Sequence, residues 1–234
     1  MRTVVSVLIA LLSVQLVARA EGTSAPPAQA EPPRKAEGPA AVTSNIPAAA
    51  SASAAATAAD VASLLSSGRQ FLNEGKWTEA AALFEKVRSL DPANQEAAFG
   101  LSATYIENGR LEEALPLLER LSKEAPDNPM VKNNLAWVYV KAKDPAVRNP
   151  EKAVVLAREA VLDVPADYSV WNTLAEAYYA AGKYDLAARR AKIALQLSQA
   201  AGVTNDVPFR ELIERCQSAA GAKGETTGGG EEKP

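Results

Sequence analysis

The chain has 234 residues, 47% hydrophobic and 23% charged, enough apolar material for one globular or repeat domain with tails, which excludes a wholly disordered protein. Aromatic residues make up only 6% and alanine carries much of the apolar total, so closely packed helices are expected in place of an aromatic-rich strand sandwich. Net charge is −3 and no Lys/Arg cluster stands out, so the electrostatic footprint of a phosphate-backbone binder is missing and nucleic acid is not an expected partner.

The first 20 residues have the layout of a secretory signal. Met1-Arg2 supplies a positive end, Val4 to Val17 is a mostly apolar run, and Ala18-Arg19-Ala20 is an A-x-A cleavage site before Glu21. The apolar run, broken by Ser6, Ser13 and Gln15, is shorter than the ~20 residues a helix needs to span a bilayer. A cleaved signal places the protein in the periplasm or outside the cell; the other reading, an uncleaved N-terminal anchor, is the one that makes a membrane a partner. Residues 21–59 form an Ala/Pro-rich linker, with Pro26-Pro27, Pro32-Pro33, Pro39 and Pro47. Almost no large apolar residue is present there to offset the ordering entropy, so the segment is expected to be disordered.

The segment that follows repeats itself with a period of 34 residues. Phe71 recurs as Tyr105, Tyr139 and Tyr178; Gly68 as Ser102, Ala136 and Ala175; Ala80 as Ala114, Ala153 and Ala187; and Pro92 as Pro126 and Pro165. Every departure from 34 is five residues, and one insertion between Tyr139 and Ala153 accounts for all of them. The small residues let paired helices approach closely, while Leu101, Leu135, Leu174 and the aromatic series fill the space between pairs. Gly75, Gly109 and Gly182 fall where a left-handed turn joins the two helices of a pair. Asp91-Pro92 and Ala125-Pro126 close the second helix.

These residues carry a resemblance to the tetratricopeptide repeat (TPR). The fourth copy is the clearest: Trp171, Leu174, Ala175, Tyr178, Gly182, Tyr184 and Ala187 stand at the family's Trp, Leu, small, Tyr, Gly and Ala places. The copies run over about 61–94, 95–128, 129–167 and 168–201, within a domain spanning 60–219. The resemblance implies an all-α, right-handed superhelical solenoid of four helix pairs. At least three stacked pairs are needed to bury such a core.

Two departures from the pattern have structural consequences. In the third copy Lys143 replaces the turn glycine and the connection lengthens through Asn149-Pro150, an N-cap followed by a first-turn proline, so the second helix restarts and the insertion protrudes. Gln199 stands where the fourth copy would have its closing proline, so that helix runs on to about Ala200. A capping helix over 206–219 follows, with Phe209, Leu212, Ile213 and Cys216 on one face covering the end of the stack. Cys216, the only cysteine, reads as a buried small hydrophobe or as a reactive thiol, and no internal disulfide is available to the chain. Residues 220–234, with Gly228-Gly229-Gly230, form a disordered tail.

The absence of histidine from the sequence removes Ser-His-Asp and Cys-His nucleophile systems and the usual zinc sites, and there is no phosphate-binding glycine loop. Glu112-Glu113 diverge around a helix and cannot act jointly as acid and base. The expectation is therefore a protein that is not an enzyme, with no cofactor, no metal and no small-molecule substrate. The resemblance implies a protein-protein interaction scaffold of the cell envelope whose first helices line a concave groove for a partner peptide or amphipathic helix. The alternative is a structural, self-associating subunit of a larger envelope assembly. Repeat phase assigns Arg69, Asn73, Phe99, Ile106, Met130, Asn133, Trp137, Lys141, Asn172, Glu176 and Tyr179 to the groove. At the family's carboxylate-clamp places stand Leu65, Arg69, Gly100, Met130 and Asn134, with one cation, so such a clamp is not expected. Phe99, Met130, Trp137 and Tyr179 form either an open apolar track or packing between neighbouring repeats.

Overall fold

A computed structural model describes residues 48–227; the expected export signal, most of the linker and the end of the tail lie outside the described residues. Among the described residues the chain forms helices and no strand: α1 (Ala48–Asn73), α2 (Trp77–Leu90), α3 (Gln95–Glu107), α4 (Leu111–Glu124), α5 (Pro129–Lys141), α6 (Pro150–Asp163), α7 (Tyr168–Ala180), α8 (Tyr184–Ala200) and α9 (Val207–Thr227). This is the expected all-α stack of four helix pairs with a ninth helix behind them.

The backbone explains the period. Gly75, Gly109 and Gly182 adopt φ of 71°, 72° and 70°, and the following residue closes the helix end by donating to the carbonyl of the repeating aromatic. Lys76 N donates to Phe71 O at 2.8 Å, Arg110 N to Tyr105 O at 2.8 Å and Lys183 N to Tyr178 O at 2.9 Å. The third pair keeps the same closure across its insertion, because Asn149 N donates to Tyr139 O at 2.9 Å. The five extra residues therefore bulge outward without changing how α5 hands over to α6. Asn149 then caps α6 by accepting from Lys152 N, as its place before Pro150 predicts. The first helices of the later pairs share a second device, since Asn94, Asn128 and Asp167 each cap the helix they precede.

Each helix packs on its sequence neighbour. In addition α1, α3, α5, α7 and α9 touch one another in succession, whereas α2, α4, α6 and α8 make no contact among themselves. A stack whose first helices touch and whose second helices splay apart must curve with the first helices inside. The buried core follows this layering in two clusters. One holds Leu65, Leu72, Phe84, Val87 and Leu101 around the first pair, and a larger one runs from Ala98 to Cys216.

Two boundaries differ from the sequence reading. Helix α1 starts at Ala48 inside the expected linker, because residues 48–59 are dominated by alanine, the strongest helix former, once the last proline of the run is passed. Helix α9 runs on to Thr227, beyond the expected end at 219 and into the expected tail, through Ala219, Ala220, Ala222, Lys223 and Glu225, which sustain helix despite Gly221 and Gly224. Helix α9 is also placed as a first helix. Phe209, Leu212 and Cys216 are buried 39 residues after Val170, Thr173 and Ala177, and its remaining face is polar, as the end of a stack requires. Helix α8 ends at Ala200, where the missing proline predicts.

Candidate functional site

The inner face is built from one row of first-helix positions: Arg69 on α1, Ala103 on α3, Trp137 on α5, Glu176 on α7 and Arg215 on α9. Flanking rows add Asn73, Glu107 and Lys141 on one side and Phe99, Asn133 and Asn172 on the other. Of the residues assigned from the sequence, Asn73 is exposed and Arg69, Met130, Lys141, Asn172 and Tyr179 are half-buried. Phe99 and Trp137 are withdrawn to 4% and 7% exposure inside the larger core cluster, and Ile106 and Asn133 are buried with them. The open apolar track is therefore not formed. A large side chain at these inner positions fills the gap between successive first helices, so of the two readings, packing between repeats describes Phe99 and Trp137.

What remains on the face is polar and aromatic, and it divides in two. Toward the N-terminus, Arg69 pairs with Glu96 across α1 and α3, which neutralises the one cation at the clamp places. Leu65, Gly100 and Asn134 are buried there, so no carboxylate clamp is available. Toward the C-terminus, Lys141 Nζ lies 2.9 Å and Arg215 Nη2 3.1 Å from the same oxygen, Oε2 of Glu176. Each cation also lies over an aromatic ring, Lys141 at 4.9 Å from the Trp137 centroid and Arg215 at 4.7 Å from that of Tyr179. Three helices thus hold one carboxylate between two stacked cations.

Glu107 stands between these regions at the end of α3. Its side chain has no hydrogen bond or ion pair, and burial pushes its carboxyl up to about 8. Glu113 pairs with Arg110, which holds its carboxyl below the usual range, while Glu112 is exposed beside it, so the adjacent acids are solvated. Cys216 is fully buried between α9 and its neighbours, and that burial pushes the thiol up to about 11, the state of a packed side chain rather than a nucleophile.

Sequence reasoning did not find Arg215, Glu96 or Glu107. Arg215 was legible in principle, standing 39 residues after Glu176 just as Glu176 stands 39 after Trp137. The series was not carried into α9 because no turn glycine, closing proline or second helix marks a fifth copy.

A family profile described as tetratricopeptide repeat matches residues 71–138, from the last turns of α1 to near the end of α5. The matched segment is a tetratricopeptide-repeat segment. Among solved structures, the thermophilic TPR protein TTC0263 of Thermus thermophilus is similar at 21% identity, covering 68% of this chain and 98% of that one with a TM-score of 0.52, a likeness of fold. MamA of MSR-1 aligns at 24% identity over 68% of this chain and 98% of its own, TM-score 0.49. MamA of Desulfovibrio magneticus RS-1 aligns at 13% over 74% and 98%, TM-score 0.49. No curated protein matches the sequence. TPR stacks as a class bind other proteins and are typically non-catalytic, and the coarse reading of this chain as an interaction scaffold stands on that fold.

Proposed function

We propose that this TPR stack is a non-catalytic scaffold of the cell envelope that holds a peptide or amphipathic helix of another protein along its inner face. The observation that carries the reading is the exposure pattern of that face. Its first helices touch in succession, yet they leave Asn73, Met130, Lys141, Asn172 and Tyr179 at least partly open, a run of polar groups with one thioether and one aromatic ring from α1 to α7. Side-chain amides such as Asn172 suit the backbone of a docked segment, and Tyr179 offers a flat contact at small entropy cost. The export signal read in residues 1–20 supports the envelope setting. Recovery of native protein starting at Glu21 is the expected result of N-terminal sequencing, and an intact Met1 in a membrane fraction contradicts a cleaved signal.

The docking reading is tested by blocking one face at a time. Asn172→Arg with Tyr179→Arg obstructs the inner face, whereas Val155→Arg with Leu162→Arg obstructs the outer surface of α6, where both residues are exposed. With helicity unchanged, partner capture from an envelope extract is expected to be lost in the first variant and kept in the second. The reverse outcome moves the site to the outer surface. The self-associating alternative predicts that the first variant lowers the sedimentation coefficient of the purified protein itself.

A further inference from the structure

We propose that the cluster of Lys141, Glu176 and Arg215 is an anchor for an acidic side chain, an Asp or Glu of the protein segment docked on the inner face. The inference rests on the docking reading above and names the chemistry that the surface selects. Its basis is an uncompensated charge in a rigid setting. Two cations share one carboxylate, which leaves the cluster one positive charge in excess. The exposures are also unequal: Glu176 keeps 11% of its side-chain surface, Lys141 31% and Arg215 47%. The negative charge therefore sits at the floor and the positive charges stand at the rim, where an incoming group meets them first.

Both cations are held before any partner arrives. The Trp137 and Tyr179 rings support them from below, and their common contact on Oε2 of Glu176 fixes the distance between them. An ammonium has three donors and a guanidinium five, so each has hydrogens left over after its bond to Glu176. A second carboxylate placed between them would gain charge-assisted hydrogen bonds while little side-chain entropy is lost. The partner is an acidic peptide rather than a polyanion such as nucleic acid, because the excess charge is local. The chain as a whole carries −3, and the other end of the face is closed by the Arg69–Glu96 pair. Long-range attraction of an acidic partner is therefore weak, and discrimination is made at contact.

The test uses the full chain and two synthetic dodecapeptides, one alternating Glu with Ala and one alternating Gln with Ala, titrated in a backbone-amide NMR experiment. The expected result is saturable binding of the Glu peptide alone, with shifts centred on residues 141, 172, 176 and 215. Lys141→Gln and Arg215→Gln are each expected to weaken it about tenfold, as loss of one charge-assisted bond implies. Either variant leaves Glu176 paired with the remaining cation, so the fold is retained, and Lys192→Gln on the exposed side of α8 serves as the unaffected control. Equal binding of both peptides on this face overturns the acid anchor and leaves the docking reading standing. Binding of the Glu peptide that ignores Lys141→Gln and Arg215→Gln also overturns the anchor. Absence of both peptides from the face counts against the anchor and the docking reading together.

Discussion

The first helix pair and the third solve the same packing problem with opposite residues. In α2 the helix crossing is filled by Phe84, and the equivalent places in α4, α6 and α8 hold Leu118, Ala157 and Ala191, all of them buried. The facing positions change in the other sense. Gly68 and Gly100 flank Phe84, and a Cβ on either would stand 2.8 Å or 2.5 Å from its ring. Their equivalents beside Ala157 are Ala136 and Thr173. The comparison teaches that a bulky residue at this place is met by glycines on the facing helices and a small one by larger partners, so no single position carries the crossing. A period read from a single position consequently looks weaker than the packing beneath it.

This contrast can be broken most severely from the large side. Phe84→Ala is expected to cost about 3–5 kcal/mol, because two glycines cannot close the cavity it leaves. A urea midpoint close to that of the unaltered protein would show that the ring is not the filler of the first crossing. Gly100→Ala is the smaller lesion, with an expected cost of about 1–3 kcal/mol from overpacking against the ring. Combining it with Phe84→Leu, the residue type at the equivalent place in the second crossing, makes room for the added methyl and is expected to recover part of that loss; simple addition of the two costs in the double variant contradicts the compensation.

A further expected effect belongs to the border between the two halves of the inner face and depends on pH. Glu107 has a folded-state value of about 8 against 4.5 for an ordinary glutamate. Between these values the folded chain keeps a proton that the unfolded chain has released. Stability therefore falls as pH rises through the window and levels off above about 8. Glu107→Gln removes that dependence, so its urea midpoint is expected to match the parent near pH 4.5 and exceed it at pH 8.5. An equal slope in both proteins means that Glu107 ionises freely on the surface.

The parts of the structure that were legible in the sequence are those controlled by backbone chemistry. Turn glycines, the caps at Asn149-Pro150 and the missing proline at Gln199 act locally, so the four pairs, the protruding insertion and the end of α8 followed from residue type and spacing. The parts that were not legible depend on neighbours across the stack. Trp137 and Tyr179 stand on the same side of their helices, yet one is buried and the other half-open, because exposure is decided by how closely the next first helix approaches. The pairing of Glu176 with Lys141 and Arg215 joins three helices and has no local signature. The extension of α1 back to Ala48 was obscured because an alanine run reads equally as linker or as helix until its neighbours are known.

Placement of the bound segment tests the central claim most directly. Photoreactive benzoylphenylalanine substituted in turn for Asn172 on the inner face of α7 and for Arg158 on the outer surface of α6 reports which side the captured partner lies against. The account predicts partner adducts from position 172, suppressed by Lys141→Gln with Arg215→Gln, and none from position 158. Adducts from position 158 alone would contradict it.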